Sequence, residues 1–282
     1  MVRNGMNRDF EARIILCINS VLNYLRSCGV SNNVVGFNMF GDASKEFDLV
    51  AEDILVNCIV KALNDVLIVG EERGVRKYGR GEWVAVIDPV DGSTNFDAGI
   101  PWSSISVALA RGTSKSHITL KDVVLAIVAE IFRDRIYIYR NGSVEVIGGR
   151  SARRSPPRPV LLSYFETPNS YKPVENYMLM RGRVALRSLG SAALDIVYVG
   201  LGNAEGFIDV RSKLRNVDVA AALKIALAMG ARAHICNTND VTDVQLDNLI
   251  KVECVVVGYD DVYLAKLMEA VQKPLSSAKF VS

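Results

Sequence analysis

The apolar positions of the chain change period several times, and each change marks an element. From about residue 8 to 28, Ile14, Ile15, Ile18, Val21, Leu22 and Leu25 recur at helical spacing, and Gly29 supplies a stop. Residues 46–65 repeat that pattern through Leu49, Val50, Ile54, Leu55, Cys58, Ile59 and Leu63. The period then shortens. Residues 66–69 read as a brief strand, and 83–88, 104–110, 123–131 and 135–140 read as a run of strands typical of an antiparallel sheet. Residues 148–159, rich in Gly, Arg, Ser and Pro, read as a linker or exposed crossover, and its four arginines as a solvated loop rather than a phosphate patch.

Beyond the linker, strands and helices alternate: strand 160–165, helix 171–180, strand 183–187, helix 191–201, strand 206–210, helix 217–229 closed by Gly230, strands 231–235 and 251–257, and helix 260–272. The pattern predicts an α+β first half, residues 1–155, and an α/β second half, residues 156–282. Asp240, Asp243 and Asp247 form an acidic cluster that reads as a solvated loop or a cap.

The 282 residues, half of them hydrophobic, can build a sizeable core. No apolar run spans a bilayer and no signal-peptide core follows the N-terminus, so no membrane association is expected. A net charge of +2 gives no footprint for nucleic acid. Cys17, Cys28, Cys58, Cys236 and Cys254 are scattered and odd in number, which predicts reduced thiols in a cytoplasmic protein. Two histidines, His117 and His234, stand in no motif, which argues against a His-based triad or zinc site.

The densest chemistry lies at residues 83–96. An apolar strand runs into Asp88 and Asp91, with Pro89 expected to end the ladder because it has no N–H to give. Hard cations such as Mg²⁺ take carboxylate and carbonyl oxygens together, which Asp88, Asp91 and the Val90 carbonyl can offer. The amides of Gly92, Ser93 and Thr94 can cradle a phosphate if they open a helix. An EF-hand is a poor match, because Pro89 and Val90 break its ligand pattern. Glu71 follows the strand 66–69, Asp53 lies inside the helix 46–65, and Asp218 falls in the first turn of an Ala-rich helix.

Asp48-Leu-Val-Ala-Glu-Asp53, Gly70-Glu71-Glu72, Asp88-Pro-Val-Asp91-Gly-Ser-Thr-Asn-Phe96 and Val217-Asp218-Val-Ala-Ala come in an order that resembles the inositol monophosphatase/fructose-1,6-bisphosphatase superfamily. The short dual-activity enzymes of archaea are the most similar branch. The resemblance implies a layered α-β-α-β-α sandwich and a phosphomonoesterase using two to three Mg²⁺, or Mn²⁺, per site. It implies that Glu71, Asp88 and the Val90 carbonyl hold one metal, and Asp88, Asp91 and Asp218 a second. Asp53, Glu71 and Ser93 take the catalytic roles, with Asp53 near the attacking water and Ser93 where the family often has a threonine. Asp91, Gly92, Ser93, Arg187, Ala192 and Arg211 are the implied substrate contacts.

Arg211 stands seven residues before Asp218, where animal inositol monophosphatases carry a glutamate. An arginine there suits a second phosphate better than a sugar hydroxyl. Lys213 and Arg215 read as surface side chains, and Ser163 and Tyr164 as further candidates for substrate contact. The expected substrates are fructose 1,6-bisphosphate and inositol monophosphate, and the expected assembly a homodimer or homotetramer. A phosphatase acting on 3′-phosphoadenosine 5′-phosphate or NADP(H) is the alternative within the class. A non-catalytic metal- or phosphate-binding regulator is the alternative outside it.

Overall fold

The structure is a computed structural model that describes residues 2–38, 41, 43–112, 117–148 and 154–273. Two long helices, α1 (Val2–Leu25) and α2 (Glu46–Leu63), flank a small hairpin of β1 (Val34–Phe37) and β2 (Ala43–Lys45). A seven-stranded sheet follows: β3 (Val66–Gly70), β4 (Gly74–Tyr78), β5 (Trp83–Asp91), β6 (Ser104–Arg111), β7 (Val123–Glu130), β8 (Ile136–Arg140) and β9 (Ser143–Ile147), with the short helix α3 (Ser93–Asp97) after β5. Its order is β4-β3-β5-β6-β7-β8-β9, and every pairing is antiparallel except β3 with β5.

The second half holds β10 (Val160–Tyr164), α4 (Pro168–Arg181), β11 (Ala185–Arg187), α5 (Ala192–Leu201), β12 (Gly206–Asp209), α6 (Asn216–Ala228), β13 (Arg232–Ile235), β14 (Val255–Gly258) and α7 (Asp261–Gln272). Its sheet order is β11-β10-β12-β14-β13, parallel at β11-β10-β12 and antiparallel beyond.

Strand periodicity explains the layers. Along β5, Ala85 and Ile87 pack with α1 and α2, while Val84 and Val86 pack with α5 and α6. Both faces of the sheet are therefore covered, and all nine residues of β5 are buried. The second sheet repeats the scheme. Leu162, Phe207, Val255 and Val257 face α5 and α6, while Leu161, Ile208 and Val256 face α4 and α7. The result is five layers, α1/α2, sheet, α5/α6, sheet, α4/α7, the α-β-α-β-α sandwich.

Two expectations are corrected here. Cys17 pairs with Cys58, tying α1 to α2, and Cys236 pairs with Cys254, so only the exposed Cys28 is a free thiol. Sequence spacing alone does not report such pairings, because the fold brings the partners together. Of the linker arginines, Arg150 and Arg153 lie outside the described residues. Arg154 is not solvated: its guanidinium lies 3.8 Å from the Tyr259 ring centroid and bonds the Tyr259 carbonyl. Among the described residues no helix is long and apolar enough to cross a membrane.

Candidate metal centre

β5 does not stop at Pro89. It runs on to Asp91 through a bulge: Asp88 pairs with Ser106 and Asp91 with Ser104, so Pro89 and Val90 together stand opposite Ile105. The bulge absorbs the missing proline N–H and changes the facing of the acids. Residues three apart on a regular strand point to opposite faces, but Ser104 and Ser106 share a face, so Asp88 and Asp91 share it too. The Val90 N–H donates to Asp88 Oδ1 at 2.9 Å, which holds the turn.

Glu71 follows β3, the parallel neighbour of β5, and Asp218 lies in the first turn of α6. Glu71, Asp88 and Asp218 each bring a carboxylate oxygen within 4.8 Å of the others. Burial and mutual repulsion raise their proton affinities. Glu71 and Asp88 are pushed well above the usual carboxylate range by desolvation and then by neighbouring acids. Asp218 is raised to about 7 by desolvation, even though it accepts the Arg215 N–H at 2.7 Å.

Asp91 lies beside this trio rather than within it. Its carboxylate accepts the Ala192 N–H at 3.1 Å, the Ala193 N–H at 2.9 Å, the Ser104 hydroxyl at 3.3 Å and the Ser191 hydroxyl. It is still raised to about 6, by desolvation. Ala192, expected to meet substrate through its amide, instead joins Asp91 to the N-terminus of α5.

Gly92 sits at φ 83°, where a Cβ would stand 2.7 Å from the Gly190 carbonyl oxygen, so the turn into α3 requires glycine. Ser93 opens α3 and is half-buried. Arg187 is exposed at the end of β11, donating to the Leu186 carbonyl. Arg211 is held by Asp209, Nη2 to Oδ2 at 2.8 Å, and by Glu166, Nη1 to Oε1 at 2.6 Å. The two lesser candidates are engaged in the fold: Ser163 donates to the Ile208 carbonyl, and the Tyr164 hydroxyl to Asp195.

Asp53 is not brought to the cluster. It pairs with Arg73 at 2.6 Å, and the two side chains are 45% and 38% exposed. The reason is helical geometry: from Asp48, four residues advance about 400° around the axis and five advance about 500°. Asp48 and Glu52 therefore share the buried face, and Asp53 falls off it. Asp48 is raised to about 8 by desolvation and by the charge of Glu72, and its own charge reaches Glu71.

Glu52 is fully buried and builds the turn that carries Glu71. Its oxygens accept the Glu72 N–H at 2.9 Å, the Arg73 N–H at 3.2 Å and Arg76 Nη2 at 2.8 Å. Gly70 leaves the room, since a Cβ there would lie 2.9 Å from the Glu52 carboxylate. Glu52→Ala is expected to cost about 3 kcal/mol, because it strands Arg76 and two amides. Urea unfolding with an unchanged slope and a lower midpoint would show it, and an unmoved midpoint would refute it.

Arg215 also departs from its expected surface position. Its side chain is only 6% exposed and donates to Glu71 Oε1 at 2.8 Å. It supplies one positive charge to a group of four acids, Glu71, Asp88, Asp91 and Asp218. Such a donor set, rich in buried carboxylate oxygen and short of countercharge, fits hard divalent cations. The Ser106 hydroxyl, opposite Asp88, is buried with no hydrogen-bond partner, a further polar atom facing the same ground.

The chain as a whole is similar to known proteins. Residues 18–273 match the model of the inositol monophosphatase family. The fructose-1,6-bisphosphatase/inositol-1-monophosphatase of Thermococcus kodakarensis is 31% identical over 196 residues, covering 70% of this chain and 71% of that one. A bifunctional NADP phosphatase/NAD kinase of Methanococcus maripaludis is 27% identical over 245 residues, 79% of this chain and 42% of the relative. The crystal structure of an inositol monophosphatase–fructose 1,6 bisphosphatase superposes with a TM-score of 0.73 at 26% identity, covering 93% of this chain and 98% of that one. With its family model matched over most of its length and its acids gathered at one strand end, the chain belongs to the inositol monophosphatase family.

Proposed function

We propose that the protein is a Mg²⁺-dependent phosphomonoesterase acting on fructose 1,6-bisphosphate and inositol monophosphate. The observation that carries this reading is the convergence of Glu71, Asp88 and Asp218 beside the Arg215 guanidinium. The class, phosphoric monoester hydrolase, is that of the family; the substrates and the ion are the proposal. Glu71, Asp88 and Asp218 would hold two to three divalent ions, with Asp91 and the Val90 carbonyl completing the set. Bound there, the ions lower the pKa of water and neutralise the phosphoryl group.

The chain's own groups do the rest. Asp48 accepts the proton of the attacking water at its carboxylate, and the Ser93 hydroxyl orients that water. Arg211, with Arg187, faces the phosphate that stays on the product. The site is reached without nucleic acid or membrane, and the proposal includes a homodimer or homotetramer. Cytoplasmic residence belongs to the proposal as well, though the cysteines no longer support it, since four of the five are paired.

Phosphate release from a panel of sugar and nucleotide phosphates tests the reading. Turnover of both named substrates is expected with Mg²⁺ or Mn²⁺ and none with chelator. Preference for NADP or 3′-phosphoadenosine 5′-phosphate would replace the substrate assignment, and turnover unaffected by chelator would overturn the metal assignment. The first alternative has one specific support, the NADP phosphatase relative.

A further inference from the structure

We propose that Glu166 is a built-in competitor for the anion position formed by Arg211 and Lys213, and so sets how strongly a second phosphate on the substrate is favoured. This rests on the functional reading above and deepens it.

Glu166 lies in the turn between β10 and α4, where its N–H donates to the Ser170 hydroxyl at 3.0 Å. One carboxylate oxygen accepts Arg211 Nη1 at 2.6 Å, and the other accepts the Lys213 ammonium. Two cations from the segment after β12 thus converge on one anion supplied by the chain itself. Arg211 cannot follow Glu166 away. Asp209, which is buried, holds the Arg211 backbone N–H at 2.8 Å, Nε at 3.1 Å and Nη2 at 2.8 Å, and the side chain is only 16% exposed. Glu166 is 45% exposed and is tied through its own side chain to these two cations. Of the two partners, the carboxylate is the one free to swing out.

The position is linked to the acids of the metal centre through Tyr164 and Asp209. The Arg211 guanidinium lies 4.8 Å from the Tyr164 ring centroid, the Tyr164 hydroxyl bonds Asp195, and the charges of Asp91 and Asp209 both reach that hydroxyl. Asp209 also acts on Asp218.

Charge accounting gives the consequence. With Glu166 in place, two cations meet two carboxylates, Asp209 and Glu166, and the position is neutral. With Glu166 displaced, one positive charge is left for the newcomer. A phosphate brings more charge and more acceptor oxygens than a carboxylate, so it can win the exchange, but its gain is reduced by the ion pairs that it breaks. A monophosphate with no distal anion leaves Glu166 where it is. The residue therefore narrows the gap between bisphosphate and monophosphate substrates. Its carboxyl stays ionised in this competition, since Lys213 and Arg211 hold it below the usual range.

Glu166→Gln keeps the shape and removes the charge. In the metal-loaded enzyme it is expected to lower KM for fructose 1,6-bisphosphate by about 3- to 10-fold, the scale of a half-exposed ion pair, with kcat unchanged. KM for inositol 1-phosphate should stay within about twofold. Calorimetric binding of fructose 6-phosphate, which carries the distal phosphate alone, should tighten by the same factor, and Glu166→Asp should fall between. This arm needs no turnover, so failure of the wild type to hydrolyse the bisphosphate would count against the functional reading and leave the binding comparison to judge Glu166. Unchanged or weaker binding of fructose 6-phosphate by Glu166→Gln, or an equal KM change on both substrates, would overturn the proposal.

Discussion

Asp88→Asn is expected to abolish phosphate release, by about 10³-fold or more, while raising the melting temperature of the metal-free protein. The two effects have one cause. Asp88 is buried and faces Glu71, Asp91 and Asp218, so its charge is costly until cations arrive. Amidation removes that cost and the ligand together. The same logic fixes the pH dependence. Asp91 at about 6 and Asp218 at about 7 lie above their unfolded values near 3.8. Between those limits the folded chain keeps protons that the unfolded chain has released, so stability falls as pH rises from about 4 to about 7. Divalent cations favour the ionised carboxylates, so the stabilisation by Mg²⁺ should be small at pH 5 and largest near pH 8. Thermal melts of wild type and variant across that range, with chelator or Mg²⁺, check both claims. A metal-free protein that gains stability with rising pH would contradict the clustering of these acids.

Much of the architecture was readable because its signals are local. Helices α2, α5 and α6 and strands β5, β6 and β7 carry apolar periods long enough to mark themselves. The strands β4 and β9 escaped because they close the two edges of the first sheet, and Gly74-Val-Arg-Lys-Tyr78 and Ser143-Val-Glu-Val-Ile147 carry polar residues on their uncovered side. α4 starts at Pro168, three residues before its apolar pattern predicts, because Thr167 caps it and Pro168 takes its first position. In the site, the motif order named Glu71, Asp88, Asp91 and Asp218. What could not be read was how far each charge is already spent. Arg211 is neutralised by Asp209 and by Glu166, 45 positions away, and the Ala192 N–H is already given to Asp91, 101 positions away. Arg215 has the composition of a surface residue, and only the approach of α6 to the end of β3 buries it against Glu71.

Asp48→Asn is expected to lower kcat by about 10²-fold or more with KM little changed, whereas Asp53→Asn should leave both within about twofold. The motif contains both acids and its resemblance points to Asp53; the turn of the helix points to Asp48 instead. Asp48 stands at the third position of α2, 4% exposed, with its carboxylate accepting the Lys45 N–H at 3.3 Å. Its neighbour Glu72 accepts the Ser44 hydroxyl and follows Glu71 directly, and the charge of Asp48 acts on Glu71. A carboxyl raised to about 8 in the metal-free protein binds a proton readily, which is what a group taking one from water requires. Bound cations will lower that value, and because protonation of Asp91 and Asp218 gives kcat/KM an acidic limb of its own, the two variants are compared near pH 8, where those acids are ionised. Asp53 pairs with Arg73 at the surface, an ion pair of small worth. The kinetic comparison is internally controlled, because the two aspartates lie on one helix and both changes are isosteric. A loss in Asp53→Asn equal to that in Asp48→Asn would mean that α2 presents its other face to the bound substrate, and the water-activating role would return to Asp53.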